Sequence, residues 1–312
     1  MKKISIGVLI LYFGIILFFQ IFSGCMSFRL SQMEIDEHFA NQKYKPTQHQ
    51  IVVNGRTINY AEIGSDSLPV AFFVHGSPGS WSAWEDFFKD SLLLTKVKMV
   101  AVDRPGFGYS GLGNGEKKLT EQSKYLRPIL EKYKHDLVDF QENRTIVNDS
   151  LGKIKEDTSL VKKHRKIILI GHSLGGPIIA RMAIDYSELV DNLIFVAASN
   201  DPELEPANWY RHIGDFILFR YLIPKSFRAS NREILYIKPE LEKMIPLWKN
   251  IRQKSIIIQG EKDVLVPFQN AYFTKNVLVN AEVEMVIKKD MNHFVPWSNP
   301  ELIKEAILRL VE

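Results

Sequence analysis

The sequence predicts an α/β protein in which helices cover both faces of a mostly parallel, twisted sheet. Two observations carry this prediction. Short runs of consecutive apolar residues, such as Val70 to Val74 and Ile167 to Ile170, are typical of strands buried on both faces. Helical patterns, such as Pro177 to Tyr186 and Pro300 to Leu310, lie between most of these runs. Buried strands that alternate with helices indicate a parallel sheet between two helical layers.

Composition limits the classes of function. A chain of 312 residues can bury one large core or two modest ones, and a hydrophobic content of 46% is ordinary for a globular protein. The net charge of +4 is mild and no arginine- or lysine-dense groove is evident, so nucleic acid is not an expected partner. The single cysteine excludes an intrachain disulfide and a paired-cysteine metal site. We expect no metal or organic cofactor.

Residues 1–25 are predicted to be a signal segment or a membrane anchor. Lys2 and Lys3 precede an uncharged apolar run, and Ser23-Gly24 then lead to Cys25. Small residues before the only cysteine resemble the lipobox of bacterial lipoproteins, although Phe22 stands where an aliphatic residue is usual. Lipidation of Cys25, an uncleaved signal anchor and ordinary secretion are the three alternatives. All three place the body of the protein outside the cytoplasm, and the first two attach it to a membrane.

The rest of the chain divides into a tether, a core and a lid. Residues 26–50 are polar and mixed, and we predict a tether. The core is predicted to comprise 51–199 and 251–312, starting with a hairpin at Asn54-Gly55 and interrupted by a charged, helix-prone insertion at about 112–165. Residues 200–250 are rich in aromatics and proline, which suits a small helical lid over a cleft. Packing of additional helices into the core is the alternative for this segment.

A serine occupies the centre of Gly171-His172-Ser173-Leu174-Gly175, between a buried apolar run and a helical pattern. This order predicts a strand, a sharp turn and a helix, with Ser173 at the apex. A serine at such an apex is exposed for nucleophilic attack, and the N–H of the next residue points toward the group attacked. The alternative is a serine that caps a helix after a buried strand.

A serine nucleophile needs a base, and the base needs an acid that orients it. Polar residues just beyond the carboxyl ends of parallel strands are the candidates, because ligands bind at that edge of the sheet. Asp263 and His293 each follow a predicted strand. We therefore predict His293 as the base and Asp263 as the acid, with Asp201, which follows an earlier strand, as the rival acid.

The turn His75-Gly76-Ser77-Pro78-Gly79 follows another buried strand at its carboxyl end. A glycine-rich turn there can direct backbone N–H groups inward, and an oxyanion hole needs two such donors. We predict these donors to be the N–H groups of Ser77 and Leu174. His75 and His172 flank the site and are expected to pack and hydrogen-bond beside it.

Together these segments resemble the α/β-hydrolases, over the whole chain except the leader, the tether and the two insertions. Ser173, Asp263 and His293 also follow one another in the order that this family uses. Asp103 and Arg104, in another matching segment, are expected to stabilise the turn after their strand. The segments that carry the resemblance are 75–79, 103–110, 171–176, 260–263 with 266–267, and 292–294.

The resemblance implies a serine hydrolase with the α/β-hydrolase fold. In this mechanism His293 takes the proton of Ser173, the serine attacks a carbonyl, and water hydrolyses the acyl-enzyme. Asp263 keeps the imidazole in the useful tautomer. The aromatic lid and the membrane attachment favour an apolar, small-molecule or lipid ester, so we predict an esterase or a monoglyceride-lipase-like enzyme.

Other activities of the same fold remain open. The turn at 75–79 also resembles that of prolyl aminopeptidases and of carbon–carbon bond hydrolases, although the aminopeptidases usually carry a different elbow sequence. Acyl transfer to an alcohol and a non-catalytic binding role are further alternatives. Epoxide-hydrolase or dehalogenase chemistry is not expected because Ser173 is not an aspartate.

Overall fold

The computed structural model describes residues 6–24, 26–134, 142–148, 154–160, 165–206, 210–216 and 219–311. Cys25, the predicted lipidation site, lies outside these residues. The strands are β1 (Thr47–Val53), β2 (Arg56–Ile63), β3 (Val70–Val74), β4 (Lys98–Val102), β5 (Glu142–Asn148), β6 (Ile154–Leu160), β7 (Ile167–His172), β8 (Asn192–Val196), β9 (Lys254–Gly260) and β10 (Val283–Lys288). The helices are α1 (Ile6–Phe22), α2 (Gln32–His38), α3 (Glu85–Phe88), α4 (Ser91–Lys96), α5 (Leu119–Lys134), α6 (Gly175–Asp185), α7 (Tyr210–Asp215), α8 (Lys225–Met244), α9 (Gln269–Val277), α10 (Val295–Ser298) and α11 (Pro300–Val311).

Eight strands form one sheet in the order β1-β2-β4-β3-β7-β8-β9-β10. The pairs β1–β2 and β2–β4 are antiparallel, and every other neighbouring pair in this sheet is parallel. Strands β5 and β6 pair separately as an antiparallel hairpin. The mostly parallel sheet and its flanking helices confirm the predicted fold class.

The strand β3 shows how the sheet organises two cores. All five of its residues are fully buried, as expected for a strand with helices on both sides. Successive side chains point to opposite faces. Val70, Phe72 and Val74 therefore pack in one hydrophobic cluster, with residues of α5, α6 and α8, while Ala71 and Phe73 pack in the other, with residues of α11.

The predicted hairpin is confirmed. Val53 pairs with Arg56 at the end of the β1–β2 ladder, which leaves Asn54 and Gly55 as a two-residue turn. Both have positive φ, 50° and 77°, the backbone that an Asn-Gly hairpin turn requires.

Three segments differ from the simple division made from the sequence. Much of 26–50 packs on the body: β1 begins within it, and Ile35 and Phe39 are fully buried. The insertion at 112–165 holds the β5–β6 hairpin in addition to the helix α5. In the lid segment, α8 has 20 residues and buries one face, so it is longer than the short helices expected.

The 17 residues of helix α1 carry no charged side chain and are mostly apolar, with Gln20 as a polar exception. In the part of the chain that the structure describes, no helix meets the combined length and hydropathy needed to cross a bilayer.

Candidate active site

Ser173 lies between the end of β7 and the start of α6, at the apex of a sharp turn. Its φ is 53°, in the left-handed region that a side chain with a Cβ rarely adopts. The Ser173 N–H donates to Val196 O at 2.9 Å, which fixes this backbone. A Cβ at Gly171 would lie 2.5 Å from Gly175 O, so the turn needs glycine there. The structure thus places the serine on the strained turn that the pattern predicted.

The imidazole of His293 and the carboxylate of Asp263 form a hydrogen bond of 2.8 Å between Nδ1 and Oδ2. Both residues are buried, with 7% and 6% of their surfaces exposed. With the Nδ1 proton directed at the carboxylate, Nε2 is left as the basic nitrogen. The structure therefore brings together two of the three predicted triad residues in the orientation that the mechanism needs.

The carboxylate of Asp263 is held on both oxygens. Its Oδ1 accepts the backbone N–H groups of Leu265 and Val266 at 2.9 and 2.8 Å. Gln259 at the end of β9 donates its Nε2–H to Oδ2 at 3.1 Å, beside the bond to His293. These donors fix the direction of the acid, and Gln259 is a positioning residue that the sequence analysis did not single out.

His172 connects the serine turn to His293. It directly precedes Ser173, its Nε2–H donates to His293 O at 3.0 Å, and the two rings lie 4.8 Å apart. Burial, and then the charge of His293, lower the pKa of His172 to about 3, so this ring is neutral and acts as a donor. Within the described residues no hydrogen bond joins Ser173 Oγ to His293; the contact seen with His293 is that of His172, the residue before the serine.

The turn that carries Ser77 lies directly against the serine. A Cβ at Gly76 would be 3.0 Å from Ser173 Cβ and 3.1 Å from His172 Nδ1, so only glycine permits this approach without displacement. Among the backbone hydrogen bonds of the described chain, neither the Ser77 N–H nor the Leu174 N–H serves as a donor. Leu174 also immediately precedes α6, whose N-terminus favours developing negative charge.

A network built around a buried ion pair joins this turn to α8. The guanidinium of Arg104 donates to the carbonyl oxygens of His75 and Gly76 at 2.9 and 2.8 Å, and it pairs with Glu233. Glu233 in turn accepts the Ser77 hydroxyl proton at 3.0 Å. Burial raises the pKa of Glu233, and the charge of Arg104 opposes this shift. Arg104 thus stabilises the turn of the candidate oxyanion hole as well as its own.

His75 has a structural role, because both of its ring nitrogens are used in hydrogen bonds to the backbone. Its Nδ1–H donates to Gly76 O at 2.6 Å, and its Nε2 accepts the Arg104 N–H at 3.0 Å. Burial, and then the charge of Arg104, lower the pKa of His75 well below the usual range, so the ring stays neutral.

The two other carboxylates near strand ends have structural roles. Asp103 accepts the N–H groups of Trp81 and Tyr109, each at 2.8 Å, and the side-chain amide of Asn59 at 2.9 Å. Asp201, the rival acid, accepts the Glu203 N–H at 2.9 Å and caps a short turn of helix. In the described chain, no hydrogen bond joins Asp201 to the imidazole of His293.

Two half-exposed aromatic side chains lie beside the rings of His172 and His293. Phe294 and Trp297 are 53% and 50% exposed, and the Trp297 ring packs edge-on against His172 at 5.6 Å. Phe294 lies in the segment 292–294 that carries the resemblance, whereas Trp297 was marked in the sequence only by its closeness to His293 in the chain. For a metal, the described residues contain no group of three or more histidine, cysteine or acidic side chains that could hold one.

Three comparisons place this geometry among known proteins. A family model described as the alpha/beta hydrolase fold matches residues 69–222. Epoxide hydrolase 1 of Caenorhabditis elegans is 27% identical over 138 residues, 44% of this chain and 27% of that protein. The AB hydrolase superfamily protein YfhM of Bacillus subtilis (strain 168) is 25% identical over 189 residues, 58% of this chain and 54% of YfhM. The crystal structure of Cfl2 from Burkholderia cenocepacia matches with a TM-score of 0.61 and 14% identity, over 86% of this chain and 96% of Cfl2.

The chain spans 27% and 54% of the lengths of these two curated relatives, and the likeness to Cfl2 shows the fold alone. The matched region contains β3, the serine turn and β8. Sheet order, family model and structural likeness agree, and the chain therefore has the α/β-hydrolase fold, with residues 69–222 similar to the family model of that fold.

Proposed function

We propose that this protein is a serine hydrolase of carboxylic esters, of the esterase or monoglyceride-lipase kind. Its catalytic triad is Ser173, His293 and Asp263. The observation that carries the proposal is the 2.8 Å bond between His293 Nδ1 and Asp263 Oδ2, beside a serine held at a φ of 53°. A buried acid, an oriented imidazole and a strained, accessible serine are the parts that acyl transfer through serine needs.

The reaction follows from these positions. His293 Nε2 accepts the proton of Ser173 Oγ as the serine attacks the ester carbonyl carbon. The N–H groups of Ser77 and Leu174 stabilise the resulting oxyanion. The alkoxide leaves with the proton from His293, and water, deprotonated by the same nitrogen, hydrolyses the acyl-enzyme. Asp263 stabilises the imidazolium form in both steps.

Epoxide hydrolysis is the second candidate, because relatives named epoxide hydrolases match 44% to 48% of this chain. A serine nucleophile argues against epoxide hydrolysis. A serine that opened an epoxide would form an alkyl ether, which has no carbonyl for water to attack, whereas an acyl-serine does. An ester is therefore the substrate class that this nucleophile can turn over.

We further propose that the protein is attached to a membrane outside the cytoplasm, through residues 1–25. Either acyl chains on Cys25 or the retained apolar segment would provide the attachment. This location would give the enzyme access to lipid or other lipophilic esters.

The test is the full chain with Ser173→Ala, and with Ser187→Ala as the control at an exposed serine. We expect the wild type and the control to react with a fluorophosphonate probe and to hydrolyse p-nitrophenyl esters. The Ser173→Ala variant should do neither while keeping its melting temperature. Folded wild type that resists the probe would support a binding module instead. Probe labelling together with turnover of styrene oxide but of no ester would support the second candidate.

A further inference from the structure

Hydrogen bonds join the end of α1 and the residues just after it to the lid segment. Gln20 Nε2 donates to Tyr221 O at 2.6 Å, and the Ser23 hydroxyl accepts the Lys225 N–H at 3.0 Å. The Ser226 hydroxyl then donates to Met26 O at 2.6 Å. The N-terminal segment is therefore bound directly to the start of α8, with no free linker between them.

The segment that follows is also held. Arg29 Nε donates to Gly108 O at 2.6 Å, and Ser82 Oγ donates to Phe28 O at 2.9 Å. Beyond it, Ile35 and Phe39 are buried in the core beneath the sheet. A membrane attachment at residues 1–25 would consequently hold the body directly on the bilayer, with the surface around Met26 nearest to it.

Exposed aromatic side chains surround this exit point. Phe219, Tyr221 and Phe227 of the lid are 46%, 41% and 41% exposed, and Phe28 is 43% exposed. The face of α1 is likewise apolar, and Ile6, Phe13 and Phe18 are among its side chains that are more than 60% exposed. Aromatic and aliphatic side chains in this density are typical of a surface that contacts lipid.

The same surface is cationic. Residues 210–232 contain five basic side chains and one acidic side chain, Asp215. The guanidinium groups of Arg220 and Arg228 both lie by the ring of Tyr221, at 5.5 and 5.2 Å from its centroid. Burial, and then the charge of Arg220, lower the pKa of Arg228. In the described part of the chain, neither they nor Arg232 forms an ion pair, although Arg228 donates to Gly113 O at 3.3 Å and Arg232 to Asn114 at 2.8 Å. Anionic groups outside the protein would complement this cluster.

We propose that this surface, the lid face, docks on a bilayer that contains anionic phospholipid. The lid face consists of Phe219, Arg220, Tyr221, Lys225, Phe227 and Arg228. Its aromatic rings would enter the interface while its cations pair with lipid phosphates. The inference rests on the membrane attachment proposed above and is independent of the ester chemistry.

Whether the N-terminal segment is retained or is cleaved and acylated, the attachment point lies beside the lid face. If the chain is retained, α1 enters the lipid beside Tyr221; if it is cleaved and acylated at Cys25, the acyl chains leave next to Met26. The inner face of α8 carries Glu233, which bonds to Ser77 in the candidate oxyanion turn. Docking therefore places the candidate active site within one helix of the membrane surface.

The experiment uses the unprocessed full chain, reconstituted in vesicles of phosphatidylcholine with about 30% phosphatidylglycerol, whose anionic headgroups give the surface a negative potential. An environment-sensitive fluorophore is attached at Phe227→Cys, or at Val279→Cys as the control, in a Cys25→Ser background. Val279 is 67% exposed and precedes β10, at the amino ends of the strands and thus at the opposite edge of the sheet. Vesicle flotation of each protein reports attachment separately from docking.

We expect both proteins to float, and only the label at 227 to shift its emission to the blue and to be quenched by spin-labelled lipid. Adding Arg220→Gln and Lys225→Gln should reduce that quenching at least twofold. Floating protein whose two labels behave alike would overturn the lid face while leaving the attachment intact. Because Cys25→Ser removes the acylation site, protein that does not float would overturn attachment through the retained segment, and with it the docking of the unprocessed chain.

Discussion

Arg104 and Glu233, both fully buried, form a two-point ion pair with N–O distances of 2.7 and 3.1 Å. The pair joins the turn after β4 to the helix α8 of the lid. Since Arg104 also bonds to Gly76 O and Glu233 bonds to Ser77, both partners hold the turn that carries one candidate oxyanion donor. Lid position and oxyanion geometry are therefore coupled through one pair of charges.

Removing one partner of this pair should destabilise the protein strongly. Glu233→Ala leaves the buried Arg104 without its counter-charge, and such changes cost about 3–5 kcal/mol in free energy of unfolding. We also expect a lower kcat, because the Ser77 turn loses a support. Urea unfolding and ester kinetics provide the measurements.

Glu203→Ala is the matched control, since Glu203 and Lys238 form an exposed pair at 3.5 Å. Exposed pairs contribute little to stability, so this variant should resemble the wild type. Equal stability and equal kcat for the two variants would refute the coupling.

The elements of the site could be predicted from sequence where the signal is local. The serine turn, the acid and the base each follow a short buried strand, and parallel strands bring their carboxyl ends to one edge. Glu233 could not be predicted in this way, because its partner Arg104 is 129 residues away and an amphipathic helix does not reveal which acid faces inward. For the same reason the mixed composition of 26–50 predicts a tether, although Ile35 and Phe39 bury their side chains in the core.

Asp263→Asn should lower kcat by about 10³-fold or more, as loss of the orienting acid does in known triads. The amide would present a donor or a weaker acceptor to His293 Nδ1, which favours the wrong tautomer. The fold should persist, because the Leu265 and Val266 N–H groups can still find the amide oxygen.

Asp201→Asn tests the rival acid in the same assay. Asparagine also caps helices well, so this variant should keep both its stability and its kcat. If Asp201→Asn were the inactive variant and Asp263→Asn the active one, the two roles would have to be exchanged.

Gly76→Ala should impair catalysis more than stability. The added methyl group would lie 3.0 Å from Ser173 Cβ and must displace either the serine or the turn. Because an oxyanion donor misplaced by even a fraction of an ångström loses much of its effect, we expect kcat to fall about 100-fold or more. Gly111→Ala is a control for the substitution itself, since a Cβ there meets nothing within 4 Å and only its φ of 74° is unfavourable. A Gly76→Ala enzyme with the kcat of the Gly111→Ala enzyme would show that the two turns are not in close contact.

The buried carboxyl of Asp103 should make stability depend on pH in an uncommon direction. Burial raises its pKa from 3.8 to about 6, against the opposing effect of the N–H groups of Trp81 and Tyr109. Between these two pH values the folded protein therefore binds more protons at this site than the unfolded chain does. The free energy of unfolding contributed by Asp103 is fully present below pH 3.8 and is lost as pH rises through about 6.

Asp103→Asn removes this titration, so the stability of the wild type relative to the variant should be greater at pH 4 than at pH 7. The difference corresponds to about 3 kcal/mol at most, from the size of the shift. Urea unfolding of both proteins at the two pH values measures it. Asp66→Asn is the control with the opposite sign, because the hydrogen bond to Lys98 lowers the pKa of Asp66. The stability of the wild type relative to Asp66→Asn should therefore not increase on acidification. A wild type that loses stability relative to Asp103→Asn on acidification would mean that Asp103 is ionised throughout, held as a carboxylate by its N–H donors.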